Sequence, residues 1–349
     1  MTPDIARFLA LDAEEREGVF ITTAERLDTR SSNVEKDFWV CVVLDALFNG
    51  RPAEAHGVVF KGGTSLSKIY GAISRFSEDV DLVVVRSDLG YEGADDPASV
   101  ESSLRGKPLN RALDQLRADC SAYVTGPLRA DLQGALATLP VATTVEVDDR
   151  DEHRTTLLVN YPTLTDHGEG YNAPAVKIEA GARSAVFPDT TDSVTPYIAD
   201  DLEDWDMTVR SVRSVTAQRT FLEKIVILHG LACRDRDEGV TLNDRNKLSR
   251  HYYDVARLSE RPEIMEVLSD HDLIAQVVAH SARTFGNGWR KLDEAMPGSF
   301  NLVPRDGLAS QLRPDYVAMS GMMFGHPPDM DWVLERIAVV ERSVNGIKP

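Results

Sequence analysis

Long apolar runs are missing from this sequence. No stretch approaches the roughly 20 residues that a membrane span requires. Met1 to Ala10 carries neither a basic stretch nor an apolar core, so no secretory signal is expected there. Cysteine is scarce: Cys41, Cys120 and Cys233 are the only three. Odd in number and widely spaced, they exclude a disulfide framework and a thiolate metal motif. A reducing cytoplasm is the expected setting. Positive charge is also in deficit, with 38 Lys and Arg against 56 Asp and Glu and a formal net charge of −18. Broad, non-specific nucleic-acid binding needs a basic surface, so this composition argues against it. A local basic cleft remains compatible. Arg210, Arg213, Arg219, Lys224, Arg234, Arg236, Arg245, Lys247, Arg250 and Arg257 fall in one stretch. Acidic residues are interleaved with them, so a solvated helix face and a binding patch both fit. Several catalytic signatures are absent as well: no Gly-X-Ser-X-Gly elbow, no His-Glu-X-X-His, and no Gly-X-Gly-X-X-Gly after a strand.

What is present reads as an ordinary globular chain of 349 residues, 42% hydrophobic and 27% charged. That length suggests about two domains. Residues 1–50 read as helices. Asn33 is placed to cap a helix over Val34–Phe48, with Val34, Phe38, Cys41 and Val42 as its apolar stripe. Lys36, Asp37 and Trp39 fall on its other faces. Val58-Val59-Phe60 is a short strand, broken by Lys61-Gly62-Gly63-Thr64-Ser65. Helical spacing follows over Leu66–Ile73, then a strand at Asp81–Val85. Helices are expected from Leu109 to Val124 and from Pro127 to Leu136. Thr143–Val147 and Arg154–Tyr161 read as a strand pair, and Ala175–Ala180 as a further strand. Residues 186–206 read as an irregular connection. From Thr216 onward the pattern is helical.

Two features carry chemistry. Glycines after a strand let backbone N–H groups approach a phosphate closely, with the next helix beginning there and a hydroxyl from Thr64 or Ser65 at hand. Alone, such a turn is also an ordinary tight turn. In Asp79-Val80-Asp81, residues two apart on a strand point to one side. Adjacent carboxylates repel unless a cation neutralises them, and they are hard oxygen ligands suited to Mg²⁺. Alone, the pair is also an acidic strand end. Together, a Gly-Ser turn followed by Asp-X-Asp matches the arrangement by which nucleotidyltransferases hold one metal–triphosphate. Glu179, on the same face as Lys177, is the candidate third carboxylate. A solvent-exposed strand face is its plainer reading. Lys224 is a candidate cation for the triphosphate or a solvated helix lysine. Asp254, among aromatics, is a buried structural acceptor or a group that positions the nucleophile.

The motifs are also recognisable. Phe60-Lys61-Gly62-Gly63-Thr64-Ser65-Leu66-Ser67-Lys68, with Arg75-Phe76-Ser77-Glu78-Asp79-Val80-Asp81-Leu82, resembles the AbiEii/AbiGii nucleotidyltransferase toxins, which include the MenT toxins. Further similar blocks are Glu35-Lys36-Asp37-Phe38-Trp39-Val40, Val176-Lys177-Ile178-Glu179-Ala180-Gly181, Arg219-Thr220-Phe221-Leu222-Glu223-Lys224 and Arg250-His251-Tyr252-Tyr253-Asp254. A C-terminal segment from Asp315-Tyr316 to Met322-Met323-Phe324-Gly325 completes them.

The resemblance implies an α+β fold, with a polymerase-β-like nucleotidyltransferase core of mixed sheet and flanking helices over residues 1–210. A helical C-terminal domain would take residues 211–349. It implies the toxin half of a bacterial toxin–antitoxin pair, with a cognate antitoxin as partner and no membrane. Some relatives transfer nucleotides from pyrimidine triphosphates to the 3′ end of tRNA; others are described as GTP-binding. Carried over by motif, Asp79 and Asp81, with Glu179, hold Mg²⁺ or Mn²⁺, and Asp79, Asp81, Lys224 and Asp254 are the catalytic set. Lys61, Gly62, Gly63, Thr64, Ser65, Lys68, Ser77 and Lys177 are the candidate nucleotide-binding residues. The expected function is transfer of a nucleotide from a nucleoside triphosphate to an RNA 3′ end, that of tRNA first. Nucleotidylation of a protein and non-catalytic nucleotide binding are the alternatives.

Overall fold

The computed structural model describes residues 1–166, 174–242 and 247–347. Arg245 of the basic stretch lies outside them. The chain divides into two compact units: Met1–Pro97 with Ser102–Val215, and Ala98–Glu101 with Thr216–Pro349.

The first unit opens with helices α1 (Pro3–Leu9), α2 (Ala13–Leu27) and α3 (Ser31–Asn49). The sequence reading expected α3 to begin after an Asn33 cap. Instead Arg30 occupies the cap position, and Asn33 sits in the first turn with its amide donating to Thr29 Oγ1 at 3.0 Å. The larger departure is burial. Every residue from Ser32 to Leu47 is buried, including Glu35, Lys36, Asp37 and Trp39, so the helix has no solvent face. A helix buried all round belongs to a core, and α3 packs against two strands of the sheet as well as α2 and α6.

Strand β1 (Val58–Lys61) leads into α4 (Gly62–Lys68) and then β2 (Asp79–Val84). The helix therefore starts in the glycine pair and ends before Ile73. Helix α5 (Gly106–Tyr123) runs through one π-helical turn, Val124–Leu128, into α6 (Arg129–Leu136). Strands β3 (Thr144–Val147), β4 (Thr156–Asn160) and β5 (Ala175–Gly181) follow. Two strands were not expected. β6 (Asp189–Val194) lies in the segment read as irregular, and β7 (Val209–Val215) opens the basic stretch, for which a solvated helix face and a binding patch both fitted. β6 is a polar edge strand with three exposed residues in succession. Val209, Val212 and Val215 of β7 are buried while Arg210 and Ser211 are exposed.

The seven strands form one mixed sheet in the order β3-β4-β5-β2-β1-β7-β6. β2 is central, antiparallel to β1 and parallel to β5. Val80, Leu82, Val176, Ile178 and Ala180 are buried, alternating with the polar residues of β2 and β5 as a sheet with one core face requires. Each such aliphatic side chain contributes roughly 1.5–3 kcal/mol by leaving water. On the polar face, a small apolar cluster of Val59, Val83, Val186 and Val215 closes the sheet beyond the charged end.

The second unit is helical: α7 (Ala217–Asp237), α8 (Ser249–Leu258), α9 (Pro262–Met265), α10 (His271–Phe285), α11 (Asp306–Met319) and α12 (Met330–Val344). The Thr216 hydroxyl caps α7 by accepting from Arg219 N–H, and Asp270 and Asp329 cap α10 and α12 in the same way. Among the described residues no helix is long and apolar enough to cross a membrane.

Candidate active site

The site is built where β1 ends and β2 begins. Across the sheet Lys61 faces Asp81, Asp81 faces Glu179, and Asp79 faces Lys177. Directly paired residues share a face, so register alone gathers Lys61, Asp79, Asp81, Lys177 and Glu179 on one face of one sheet end. Glu179 thus stands beside Asp81 from the neighbouring strand, as its alternation with Ile178 suggested.

The two glycines bind this face to the turn. Gly62 has φ +85°, a left-handed conformation that costs a residue with a Cβ. A Cβ there would lie 2.0 Å from Asp81 Oδ2. The carboxylate occupies the space that any other residue would need. A Cβ on Gly63 would lie 2.7 Å from Arg75 Nη2 and 2.9 Å from Ser77 Oγ. The hydroxyls at the turn face inward: Thr64 donates to the Asp79 carbonyl, and Ser65 donates to the Gly62 carbonyl at 3.0 Å. Both residues are buried. Thr64 thus ties α4 to β2, and Ser65 braces the first turn of α4 itself.

Electrostatics single out Asp79. Burial, followed by the negative charges of Glu78, Glu179 and Asp81, pushes its carboxyl up to about 6; Lys177 pulls the other way. Mutual repulsion of this kind is relieved by a cation. Lys177 ion-pairs with Glu179; burial pulls its ammonium down, but Glu179, with Asp79 and Asp148, more than offsets this and holds it above its usual range. Lys61 donates to Ser184 Oγ at 2.8 Å. The donor set suits a hard divalent cation, since Asp79, Asp81 and Glu179 supply carboxylate oxygens. Among the described residues no three carboxylate, imidazole or thiolate groups stand together closely enough to hold a metal ion, so Asp79, Asp81 and Glu179 share a face without forming a gathered ligand set. A bound metal would supply charge neutralisation and polarisation of the phosphate oxygens.

Lys68 lies elsewhere. Its ammonium is 2.7 Å from Asp37 Oδ1, with side chains 4% and 2% exposed, and 3.9 Å from the Tyr197 ring centroid. Burial pushes Asp37 up against the pull of Lys68. Two neighbours had no role in the sequence reading. Glu78 is held by buried Lys36 of α3, and Arg75 is 4% exposed with Nη1 donating to the Phe76 carbonyl at 3.3 Å. Both belong to motifs singled out in the sequence, but nothing in their spacing tells which partner each meets.

In the second unit Lys224 Nζ lies 2.8 Å from Asp254 Oδ2, with Asp254 fully buried. These two candidates, thirty positions apart on α7 and α8, are brought together.

A comparison with curated proteins found none that matches. Among solved structures, the nucleotidyltransferase toxin MenT4 from Mycobacterium tuberculosis H37Rv is similar at 14% identity, with a TM-score of 0.47, over 95% of this chain and 90% of that one. A family model described as the nucleotidyl transferase AbiEii toxin of a type IV toxin–antitoxin system matches residues 45–336. That span holds the glycine turn, the acidic strand, its β5 partner and the Lys224–Asp254 pair, and this chain belongs to the AbiEii nucleotidyltransferase toxin family.

Proposed function

We propose that this toxin transfers a nucleotide from a nucleoside triphosphate to the 3′ end of an RNA, that of tRNA first, and releases pyrophosphate. The observation that carries the reading is the register placing Asp79, Asp81 and Glu179 on one face, with Asp81 pressed against Gly62 of the turn. Phosphoryl and nucleotidyl transfer need little covalent help from the protein. They need position and charge neutralisation. Asp79, Asp81 and Glu179 are the residues that would hold Mg²⁺ or Mn²⁺. The Gly62–Gly63 turn orients the phosphates, with Thr64, Ser65 and Ser77 shaping the turn and Lys61 and Lys177 adding positive charge. In the second unit Lys224 is the cation proposed to act on the triphosphate, with Asp254 fixing its ammonium. A net charge of −18 supports an enzyme that grips an RNA end rather than a long duplex. A cognate antitoxin would restrain it.

The test is incubation with each of the four nucleoside triphosphates, labelled at the α-phosphate, with Mg²⁺ or Mn²⁺ and total tRNA, beside an Asp79→Ala control. Label on tRNA that disappears in the control is the expected result. Label on protein would move the acceptor to a polypeptide. Tight nucleotide binding without pyrophosphate release would leave a binding module.

A further inference from the structure

The usual argument for glycine in a phosphate turn is that the ligand needs the space. Here the space is already filled from within the protein. The side-chain face of Gly62 is taken by the Asp81 carboxylate, and that of Gly63 by the Arg75 guanidinium and the Ser77 hydroxyl. Arg75, Ser77 and Asp81 all belong to the segment that enters and forms β2. The turn is therefore seated on the acidic strand through polar groups rather than through apolar packing.

The charges around this seat make Arg75 distinctive. Glu78 has Lys36, and Glu179 has Lys177. Arg75 is a buried cation whose guanidinium lies against the turn itself. A guanidinium stays charged at every accessible pH and is planar and rigid, so it holds a backbone turn in one shape while countering nearby carboxylates. A polyanionic triphosphate approaching that acidic strand end meets repulsion unless such a charge is fixed close by.

We propose that Arg75 is the positioning residue of the phosphate turn: seated on the bare face of Gly63, it locks the turn to the acidic strand and sets the affinity for the triphosphate. This rests on the nucleotidyltransferase reading above. It assigns Gly63 a role distinct from that of Gly62, which makes room for a carboxylate.

The geometry supplies a clean test. Gly63 is not in the left-handed region, and the nearest atoms to its missing Cβ are the ends of flexible side chains. Gly63→Ala therefore displaces the guanidinium, and with it the Ser77 hydroxyl, while meeting no backbone atom. Binding of each of the four triphosphates, as α,β-methylene analogues with Mg²⁺, is measured for wild type, Gly63→Ala, Arg75→Lys, Arg75→Met and Gly63→Ala/Arg75→Met. For the nucleotide that wild type binds, Gly63→Ala and Arg75→Met each weaken binding about tenfold, equivalent to about 1.4 kcal/mol. Arg75→Lys stays within about threefold, because it keeps the charge. In transfer assays the loss falls on KM while kcat holds within about twofold. The double variant is no weaker than Arg75→Met alone, since both changes remove one contact.

Equal affinity in wild type and Gly63→Ala overturns the inference. So do Gly63→Ala and Arg75→Met costs that multiply in the double variant. If Arg75→Met does not fold, Gly63→Ala beside Arg75→Lys still decides: a tenfold loss in the first with the second near wild type supports the inference, and equal affinity in wild type and Gly63→Ala overturns it. A wild type that binds none of the four nucleotides overturns the proposed function and this inference with it; a wild type that binds, with variants equal to it, overturns this inference alone.

Discussion

Two clusters of charged side chains lie in the first unit, and they are arranged on opposite terms. On the first turns of α3, each charge has a partner. Glu35 accepts from Leu164 N–H, Thr165 N–H and the Thr165 hydroxyl. Lys36 pairs with Glu78, and Asp37 takes the Lys68 ammonium and the Tyr197 N–H. At the end of β2, by contrast, Asp79 faces the like charges of Glu78, Glu179 and Asp81 and is raised to about 6. Burying a charge costs several kcal/mol unless it is matched. The α3 cluster is matched and holds three segments together. In the β2 cluster Glu78 and Glu179 have cationic partners, but Asp79 is held among like charges, and such strain is kept where a ligand relieves it.

The largest expected effect separates the clusters by function. Asp79→Asn is expected to lower transfer by about a thousandfold or more, by removing a carboxylate from the cation set. The same change removes the repelled charge, so the metal-free protein melts higher than wild type at pH 7. Calorimetry beside the transfer assay checks both. A lower melting temperature would place Asp79 with the matched cluster and break the comparison.

Next in size is the reverse case. Asp37→Asn leaves the Lys68 ammonium buried without its counter-charge, and removal of one partner from such a pair costs about 3–5 kcal/mol. Asp37→Asn/Lys68→Met is expected to recover part of that loss in urea unfolding, since no charge is left unmatched. A double variant as unstable as the single would show that the pair's hydrogen bonds, rather than its charges, carry the stability.

This contrast also explains what the sequence disclosed. Strand alternation around Asp79, Asp81, Lys177 and Glu179 is local, and it predicted that Asp79 shares a face with Asp81 and Lys177 with Glu179, which the register joins into one face. The α3 cluster was not foreseen: Lys36 and Asp37 were placed only on faces away from the apolar stripe. The partners of the cluster's charges, Glu78, Lys68 and the Thr163–Thr165 segment, lie far along the chain, and helical periodicity holds no trace of them. β6 escaped because an exposed edge strand of polar residues has no apolar alternation to detect. β7 was masked by Arg210 and Arg213, which lengthened the apparent basic stretch. Arg75 sat in plain view within a recognised motif. Its proposed role emerges only from its seat against the bare face of Gly63, which is a property of the folded turn.

A third prediction sharpens the comparison through pH. The folded-state carboxyl of Asp79 lies above its unfolded value, so the folded protein holds that proton more tightly. Its contribution is therefore most favourable below the unfolded value near 3.8 and is lost as pH rises to about 6. The loss is roughly 3 kcal/mol at 1.36 kcal/mol per unit. In metal-free protein, stability is expected to fall across this window, and Asp79→Asn flattens the trend. Added Mg²⁺ at pH 7 restores the stability of wild type and leaves Asp79→Asn little changed. A wild-type curve that is flat from pH 4 to 6 would mean that Asp79 is not repelled.

The smallest effect runs in the opposite direction and belongs to the second unit. His229 is buried, with Nδ1 accepting from Asn301 N–H at 3.1 Å and Nε2 at 3.0 Å from the Lys291 carbonyl. The ring is therefore neutral with its proton on Nε2, because Nδ1 must keep a lone pair. Burial pushes its pKa down, outweighing the Lys291 carbonyl and Glu294, which favour the charged ring, while Arg236 adds to the lowering. The unfolded ring takes a proton first, so the stability this site contributes is complete above about 6.5 and declines as pH falls. Protonation would set an N–H against the Asn301 N–H and loosen α7 from the 287–302 segment. Amide exchange along α7 is expected to speed up between pH 7 and 5, after correction for intrinsic rates, while His229→Gln loses that dependence. Acid thus steadies the β2 cluster and weakens the α7 site, and a protein whose two units shifted together would show that one cooperative transition hides the difference between them.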